Sequence, residues 1–324
     1  MVINSNKMNR LTTDIKLLHE ATLNNLKNSK ANNTLRAYKS DFKDFGAFCS
    51  RHGLNSLPTE PKIVSLYLTY LSKNSKISTL RRRLVSISMV HKLKGHYLDT
   101  KHPIIVENLM GIRRVKGSIQ KGKKPILINH LKLVINVINE QKIKEIKKLR
   151  DKTMILIGFG GGFRRTELIS IDYEDLEFVP EGLKITIRRS KTDQFGEGML
   201  KGLPHFSNEV YCPIANLKKW LEISKIKSGP IFRRFAKGSA LTEKRLTDQS
   251  VVLLMKEYLN LAGIENKNFA GHSLRSGFAT VAAESGADER SIMAMTGHKT
   301  TQMVRRYIKE ANLFKNNALN KVKI

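Results

Sequence analysis

The spacing of apolar residues divides the chain into two unequal parts. From residue 11 to about 116, apolar side chains recur at intervals of three and four residues, which predicts helices, and the alternation typical of strands is missing. Further helices are predicted at 61–72 and 78–95. The first part is therefore predicted to be an all-α helical domain. The apolar stripe of its first clear helix consists of Leu35, Tyr38, Phe42 and Phe45.

The apolar pattern stops between Gly111 and Pro125, where a run of cations contains few apolar residues. Such a stretch predicts an exposed basic linker, which we place at 117–124. The linker joins a helical domain at 1–116 to a second domain at 125–324. The cations of the run are Arg113, Arg114, Lys116, Lys121, Lys123 and Lys124.

The second part mixes helical and strand signals. Helical spacing covers residues 131–138 and then 142–159. Strand signals occur at 176–178 and 183–187, separated by a Pro-Glu-Gly turn. From Pro213 onward the pattern is again mostly helical. These signals predict an α+β domain, mainly helical, with a small antiparallel sheet.

Composition and charge narrow the class of partner. The 324 residues include 58 Lys and Arg against 28 Asp and Glu, a formal net charge of +30, and their 40% hydrophobic content is globular. A positive net charge of this size predicts an anionic partner, either nucleic acid or an anionic membrane surface. Arg81, Arg82 and Arg83, near the start of one predicted helix, are placed either to contact phosphates or to form a solvated basic face.

Three further observations concern location and redox chemistry. The longest apolar stretches, such as 153–163, are short and interrupted by glycines, so they do not predict a membrane span. The N-terminus lacks the apolar stretch of a signal peptide, which predicts a cytoplasmic protein. Cys49 and Cys212 lie far apart without metal-ligand spacing, so neither a disulfide framework nor a structural zinc site is expected.

Candidate chemistry begins with two stretches of the second part. Arg164 lies three residues before Glu167, a spacing that lets the carboxylate hold the guanidinium toward a phosphate. Lys191 follows the second predicted strand, where a turn lysine can donate a proton or contact a phosphate. Taken singly, these residues also fit a structural ion pair and a solvated turn lysine.

Two later stretches add the remaining groups. His272 and Arg275 share a helical face at their spacing, and Tyr307 follows His298 by nine residues. The segment around Ser273 begins like the GxSxG elbow of serine hydrolases, but its fifth residue is Arg275 and no strand precedes it. Two arginines, a lysine, two histidines and a tyrosine, without a carboxylate cluster, fit phosphoryl transfer to a protein nucleophile.

Together the four stretches resemble the tyrosine recombinase family, which comprises the phage integrases with their Cre-like and Xer-like relatives. The resemblance covers nearly the whole chain and is most specific in HSLRSGFAT at 272–280 and GHKTTQMVRRY at 297–307. The chain departs from the family pattern at 161–163, where Gly-Gly-Phe replaces the commoner Thr-Gly-Leu, and at Thr296, where Leu is common. The catalytic residues that the resemblance implies are Arg164, Lys191, His272, Arg275, His298 and Tyr307.

The resemblance also implies a fold and a mechanism. A helical core-binding domain precedes a catalytic domain, and a tyrosine attacks a DNA phosphodiester to form a 3′-phosphotyrosyl link, with type IB topoisomerase-like chemistry and no cofactor. The implied roles are nucleophile for Tyr307, phosphate stabilisation for Arg164, Arg275 and His298, proton transfer at the tyrosine for His272, and protonation of the departing 5′ oxygen for Lys191.

The implied partners are double-stranded DNA at a specific site and three further copies of the chain in a synaptic homotetramer. Integration or excision of a mobile element is the expected task, with chromosome or plasmid dimer resolution as the alternative. Two rival classes are weighed against this one. A metal-dependent nuclease or transposase would need inward carboxylates, and the motif-bearing stretches offer mainly Glu167 and Asp193, one near an Arg and one near a Lys. A non-enzymatic DNA-binding protein is compatible with the charge, but the presence of all six site residues argues against it. Apolar residues near the C-terminus predict a short amphipathic helix that docks on a neighbouring protomer or on its own domain: Leu313, Phe314, Ala318, Leu319 and Val322.

Overall fold

The structure is a computed structural model that describes residues 14–22, 24–25, 29–117, 122–188, 198–238, 240–311 and 318–322. The chain separates into two units, Met1–Gln120 and Lys121–Ile324, and each has its own hydrophobic core.

The described part of the first unit is helical. Its helices pack around fully buried residues that include Phe45, Tyr67, Leu80 and Ile105. Helix α2 has the bounds expected from the apolar spacing, and α3 begins one residue before and ends two residues before the predicted bounds. The helices are α1 (Asn32–Arg51), α2 (Pro61–Ser72), α3 (Ile77–Leu93) and α4 (Pro103–Lys116).

A buried carboxylate ties α1 to α3. Asp41 forms an ion pair with Arg82 and lies 3.3 Å from the Nε of Arg83. Ser86 Oγ donates a hydrogen bond to Asp41 Oδ2 at 2.7 Å. Two of the three arginines for which the sequence left phosphate contact and a solvated face open therefore form ion pairs within their own unit. Arg81 remains exposed.

The basic stretch is only partly a linker. Helix α4 continues through Lys116, so Arg113 and Arg114 lie in its last turn, where cations interact favourably with the helix dipole. Residues 118–121 of the predicted linker lie outside the described part. Beyond them, the backbone N–H of Lys124 donates to Asn268 O at 2.7 Å, so this end of the stretch lies against the second unit's own surface.

The second unit is built around one buried helix. This helix, α6 (Glu145–Gly160), has ten buried residues, and its apolar ones share a hydrophobic core with the fully buried Trp220, Ile135 and Phe232. The helix ends at Gly160, directly before the first candidate motif. The helices of this unit are α5 (Ile128–Glu140), α6 (Glu145–Gly160), α7 (Arg165–Ser170), α8 (Pro213–Ser224), α9 (Asp248–Leu261), α10 (Ser273–Glu284), α11 (Glu289–Thr296) and α12 (Thr301–Ala311).

Two small antiparallel sheets accompany these helices. In the first sheet β2 lies between β1 and β3, with Leu183 paired to Leu203 and Ile187 paired to Met199. The sequence predicted β1 and β2 but not β3, because Lys201 and Gly202 interrupt its apolar alternation. It also missed the short, cation-rich pair β4 and β5. The strands are β1 (Leu176–Val179), β2 (Gly182–Ile187), β3 (Met199–Pro204), β4 (Arg233–Phe235) and β5 (Leu241–Arg245).

The predicted fold class is confirmed: an all-α part is followed by a mainly helical α+β part with antiparallel strands. Within the described residues, none of the helices has the length and apolar content to cross a bilayer. Leu313 and Phe314 of the predicted C-terminal helix lie outside the described residues, and Ala318–Lys321 forms a 3-10 turn.

The Asp41 contacts predict a stability effect confined to the first unit. Asp41→Ala leaves the two arginine side chains without their buried partner, so we expect a loss of about 2–3 kcal/mol in the free energy of unfolding of this unit. Hydrogen exchange measured by mass spectrometry should show lost protection in α1 and α3. Lys43→Ala, an exposed change on the same helix, serves as the control, and equal exchange in both variants would contradict the assignment.

Candidate active site

A tight glycine turn between α6 and α7 forms the base of the site. The chain passes through Gly161 and Gly162 to the buried Phe163. A side chain at Gly161 is impossible with Phe163 in place, since a Cβ there would lie 2.1 Å from the phenyl ring. The turn's carbonyls point to two cations from other elements: Lys201 Nζ donates to Gly161 O at 2.6 Å and Arg275 Nη1 to Gly162 O at 3.0 Å.

Arg164 follows this turn directly and caps α7. Its backbone N–H donates to Glu167 Oε2 at 2.9 Å, and its guanidinium forms an ion pair with the other carboxylate oxygen. Glu167 is buried, so this clamp is held in a rigid environment. Arg164 Nη2 also donates to Gly297 O at 3.4 Å. The spacing of Arg164 and Glu167 in the sequence therefore predicted a real contact.

Arg275, in the first turn of α10, is 4% exposed. Its Nη2 is buried and has no hydrogen-bond partner among the described residues. Burial and, to a smaller extent, the charge of Arg164 lower the pKa of Arg275 to about 10, against the opposing effects of Glu167 and Tyr307. Two guanidinium groups are thus held close together with one donor unsatisfied.

Lys201 is the residue that sequence reasoning missed. It lies on the inward face of β3 and is 1% exposed. Its ammonium lies 4.2 Å from the centre of the Phe163 ring. A lysine at an inward position of an alternating strand is the sequence signal for such a group, but it required β3 to be recognised first.

His298 follows the left-handed Gly297, which closes α11 at φ +61°. The Thr296 hydroxyl donates its proton to the carbonyl oxygen of Ile292, at 2.6 Å, because a carbonyl oxygen can only accept. Because this proton is already used, the 2.8 Å contact between Thr296 Oγ1 and His298 Nδ1 takes its proton from the ring. We therefore assign neutral His298 the Nδ1–H tautomer, with Nε2 as an acceptor.

The charge state of His298 depends on its neighbours. Burial lowers its pKa to about 4, and the charges of Arg275, Arg164, His272 and Lys201 act in the same direction. His298 is therefore neutral at pH 7 while no anion is bound. Its Nε2 becomes a hydrogen-bond donor only when the ring takes up a proton.

His272 and Tyr307 complete the group. His272 is exposed and occupies the N-cap of α10, one turn before Arg275. Tyr307 is half-buried on α12, with its ring centre 6.5 Å from that of His298. It packs on a small cluster formed by Ala279, Ala283, Ile292 and Val304. Five of the six residues predicted for the site thus lie in one region of the second unit.

The sixth predicted residue, Lys191, lies outside the described residues. Gly198 follows this segment and leads into β3. In the described portion of the chain, no three His, Cys, Asp or Glu side chains group closely enough to hold a metal ion.

Comparison with known proteins decides the family. Residues 129–313 match the phage integrase family. The integrase/recombinase xerD homolog of Selenomonas ruminantium is 42% identical over 300 residues, which cover 92% of this chain and 87% of that protein. The chain belongs to the phage integrase family. It is accordingly a tyrosine recombinase, and the tyrosine recombinase XerC of Leptospira interrogans is a more distant relative, 25% identical over 279 residues that cover 85% and 82% of the two chains.

Solved structures share the fold of this recombinase. The post-cleavage complex of the XerH recombinase with its palindromic difH substrate has a TM-score of 0.61 at 17% identity, covering 80% of this chain and 73% of that one. A lambda integrase dimer bound to a COC′ core site has a TM-score of 0.57 at 16% identity, covering 91% and 75%.

The tautomer of this recombinase's His298 gives a first prediction for the site. Thr296→Val removes the acceptor of the Nδ1–H bond, so the neutral ring should change to the Nε2–H tautomer. Nitrogen-15 NMR of the imidazole at neutral pH distinguishes the two forms. Thr300→Val, at an exposed position nearby, should leave the wild-type tautomer unchanged. An Nε2–H tautomer already present in the wild type would contradict the assignment.

The lowered pKa of His298 also predicts a pH effect. Between about pH 7 and pH 5 the unfolded chain binds a proton at His298, whose ordinary pKa is 6.5, while the folded chain does not until about pH 4. Stability is therefore lost as the pH falls, by about 1–2 kcal/mol over this interval after allowance for solvent screening. Urea unfolding should show this loss reduced in His298→Gln and retained in His96→Gln, a change at an exposed histidine.

Proposed function

We propose that this recombinase cleaves and rejoins DNA strands at a specific site through a covalent 3′-phosphotyrosyl link at Tyr307. The observation that carries the proposal is the convergence of Arg164, Arg275 and His298 near the tyrosine. Arg164 binds the carbonyl of Gly297, the residue before His298, and Tyr307 is close enough that its ionised form raises the pKa of Arg275.

The two arginines suit a phosphodiester because their charges are not fully compensated. Among the residues that the structure describes, Arg164 pairs with a single carboxylate, that of Glu167, and Arg275 keeps a buried donor without a partner. A phosphate oxygen supplies both the missing acceptor and the missing negative charge. As the attack proceeds, charge grows on the non-bridging oxygens, and donors fixed in advance stabilise it without reorganising.

Proton transfers accompany the covalent step. The Tyr307 hydroxyl, with an ordinary pKa of about 10, is a weak nucleophile at neutral pH and must lose its proton as its oxygen bonds to phosphorus. His272 receives that proton in this scheme. The bond from phosphorus to the 5′ oxygen breaks, and Lys191 protonates the leaving oxygen to a hydroxyl.

The proposal also specifies the protonation state in which His298 acts. To donate from Nε2 to a phosphate oxygen, the ring must become imidazolium, because Nδ1 already carries the neutral ring's proton. A bound phosphate opposes the positive charges that lower the pKa of His298, so the proposal includes proton uptake at His298 as DNA binds.

Strand joining reverses the same chemistry. A 5′ hydroxyl from a second duplex attacks the phosphotyrosyl link and releases Tyr307. The link conserves the energy of the original phosphodiester bond, so joining requires no ATP. Exchange between two duplexes is proposed to use four copies of the chain. The lysine and arginine residues behind the +30 net charge bind the DNA phosphates in this proposal. The XerH and lambda integrase structures that share the fold are DNA complexes, which supports duplex DNA as the partner.

The relatives also bear on the biological task. Proteins named as a XerD homolog and as XerC match this chain over most of their length, which favours resolution of chromosome or plasmid dimers. Integration or excision of a mobile element, expected from the sequence, stays a prediction. Mapping the cognate site distinguishes the two: a single copy in a chromosome or plasmid favours dimer resolution, and copies at both ends of a mobile segment favour integration.

Covalent capture tests the proposed chemistry directly. Nicked duplexes with a randomised sequence are incubated with the protein in EDTA, and DNA that stays attached in SDS is recovered and sequenced. We expect enrichment of one site by the wild type and none by Tyr307→Phe, because the variant lacks the attacking oxygen. Tyr97→Phe, at a tyrosine that is 86% exposed, should capture the same site as the wild type.

The other outcomes identify the rival functions. Covalent capture of DNA by Tyr307→Phe would contradict the assignment of Tyr307 as the nucleophile. Site-selective binding without any covalent product would indicate a non-enzymatic DNA-binding protein. Cleavage that leaves no attached protein and is lost in EDTA would indicate a metal-dependent nuclease.

A further inference from the structure

Lys201 occupies a position where the fold favours an apolar side chain. The inward residues of β3 are Met199, Lys201 and Leu203, and Leu203 is as buried as Lys201. Burying an ammonium group costs free energy unless it is well paired, and a methionine of similar length fills the same space without that cost. The lysine therefore calls for a reason beyond packing.

The contacts of Lys201 point to the turn before Arg164. Its ammonium donates to Gly161 O at 2.6 Å and stands over the ring of Phe163 at 4.2 Å. The next carbonyl of the turn, that of Gly162, accepts from Arg275. Lys201 from β3 and Arg275 from α10 thus hold neighbouring carbonyls of one turn, and Arg164 extends from its end.

The charges around Lys201 are mostly of its own sign. Arg164, Arg275 and the carboxylate of Glu167 face it, and its charge in turn acts on His298. A single carboxylate cannot neutralise three cations. The lysine therefore adds positive charge beneath the two guanidinium groups.

We propose that Lys201 is a positioning residue of the phosphate site: it fixes the turn that carries Arg164 and supplies a third positive charge to the bound phosphate. The inference rests on the proposed function for its kinetic part. The anion site itself is open to a separate test.

The electrostatic setting predicts how the charge responds to an anion. Burial lowers the pKa of Lys201 to about 7, with Arg275 and Arg164 acting in the same direction against Glu167. Without an anion, about half of the molecules carry this charge at pH 7. A bound phosphate raises the pKa, so Lys201 takes up a proton and becomes fully charged.

The first test uses inorganic sulfate, a tetrahedral dianion that does not titrate near neutral pH. Adding sulfate to the full-length protein at pH 7.5 in weak buffer should cause proton uptake, measured by pH-stat. We expect a clearly smaller uptake in Lys201→Met than in the wild type. Leu203→Val, at the adjacent inward position of β3, should match the wild type. Equal uptake in all three proteins would overturn the proposal.

The second test uses the duplex captured by the wild type. At saturating protein, Lys201→Met should cleave it at least 10-fold more slowly and unfold at the same temperature or a higher one. Its affinity for the duplex should also fall, because a charge that is taken up on phosphate binding favours that binding. The rate ratio between wild type and variant should shrink as the pH rises from 7 to 9.5, because the wild type then loses the charge. Lys201→Arg, whose charge does not titrate, should recover part of the rate and lack this fall.

The outcomes separate the two proposals. If the wild type forms no covalent adduct but shows sulfate uptake that depends on Lys201, the recombinase chemistry fails and the anion site stands. If the wild type cleaves DNA and Lys201→Met cleaves equally fast, or more slowly by a factor independent of pH, the role of Lys201 is overturned. If Lys201→Met does not fold, the pH dependence of cleavage by Lys201→Arg, compared with that of the wild type, decides whether the charge of Lys201 acts on the reaction.

Discussion

Burial of three cations around one carboxylate is the constraint on which this site depends. Arg164, Lys201 and Arg275 each bind the backbone carbonyl of a glycine, at Gly297, Gly161 and Gly162 respectively, while Glu167 pairs with Arg164. Carbonyl dipoles partly offset the cost of desolvating the cations without cancelling their charge. The folded chain therefore carries a preformed positive region whose charge a bound anion would neutralise. The free energy of folding offsets the repulsion between the like charges.

This constraint explains why separate elements converge on one turn. Helix α6 is buried along most of its length and supplies a rigid support up to Gly160. Strand β3 brings the lysine, α10 brings Arg275, and the end of α11 presents the Gly297 carbonyl. By contrast, the cluster that holds Tyr307 has four buried members among the described residues. The phosphate-binding groups are thus anchored in the large core, whereas the nucleophile is held by a smaller one.

The sequence predicted those parts of the site that depend on local spacing. Arg164 with Glu167 follows from three-residue spacing, and so does the placement of His272 one turn before Arg275. Lys201 could not be predicted, because its importance depends on β3, whose pattern the lysine itself interrupts. The ion pairs of Arg82 and Arg83 could not be predicted for a related reason. Basic residues near a helix start look the same in sequence whether they contact solvent alone or also a buried Asp41 from another helix.

The two departures from the family pattern acquire a physical meaning in this setting. With Phe163 in the turn, position 161 requires a glycine, because a Cβ there would overlap the phenyl ring. The face of that ring lies 4.2 Å from the Lys201 ammonium, so the three residues pack as one unit. Thr296 provides the hydroxyl that sets the tautomer of His298. The two departures therefore differ in what depends on them. Replacing Gly161 alone by the family's threonine would place its Cβ against the Phe163 ring and disturb the packing of the turn. Replacing Thr296 alone by leucine would remove the acceptor of the His298 Nδ1–H and so change the tautomer that faces a bound phosphate.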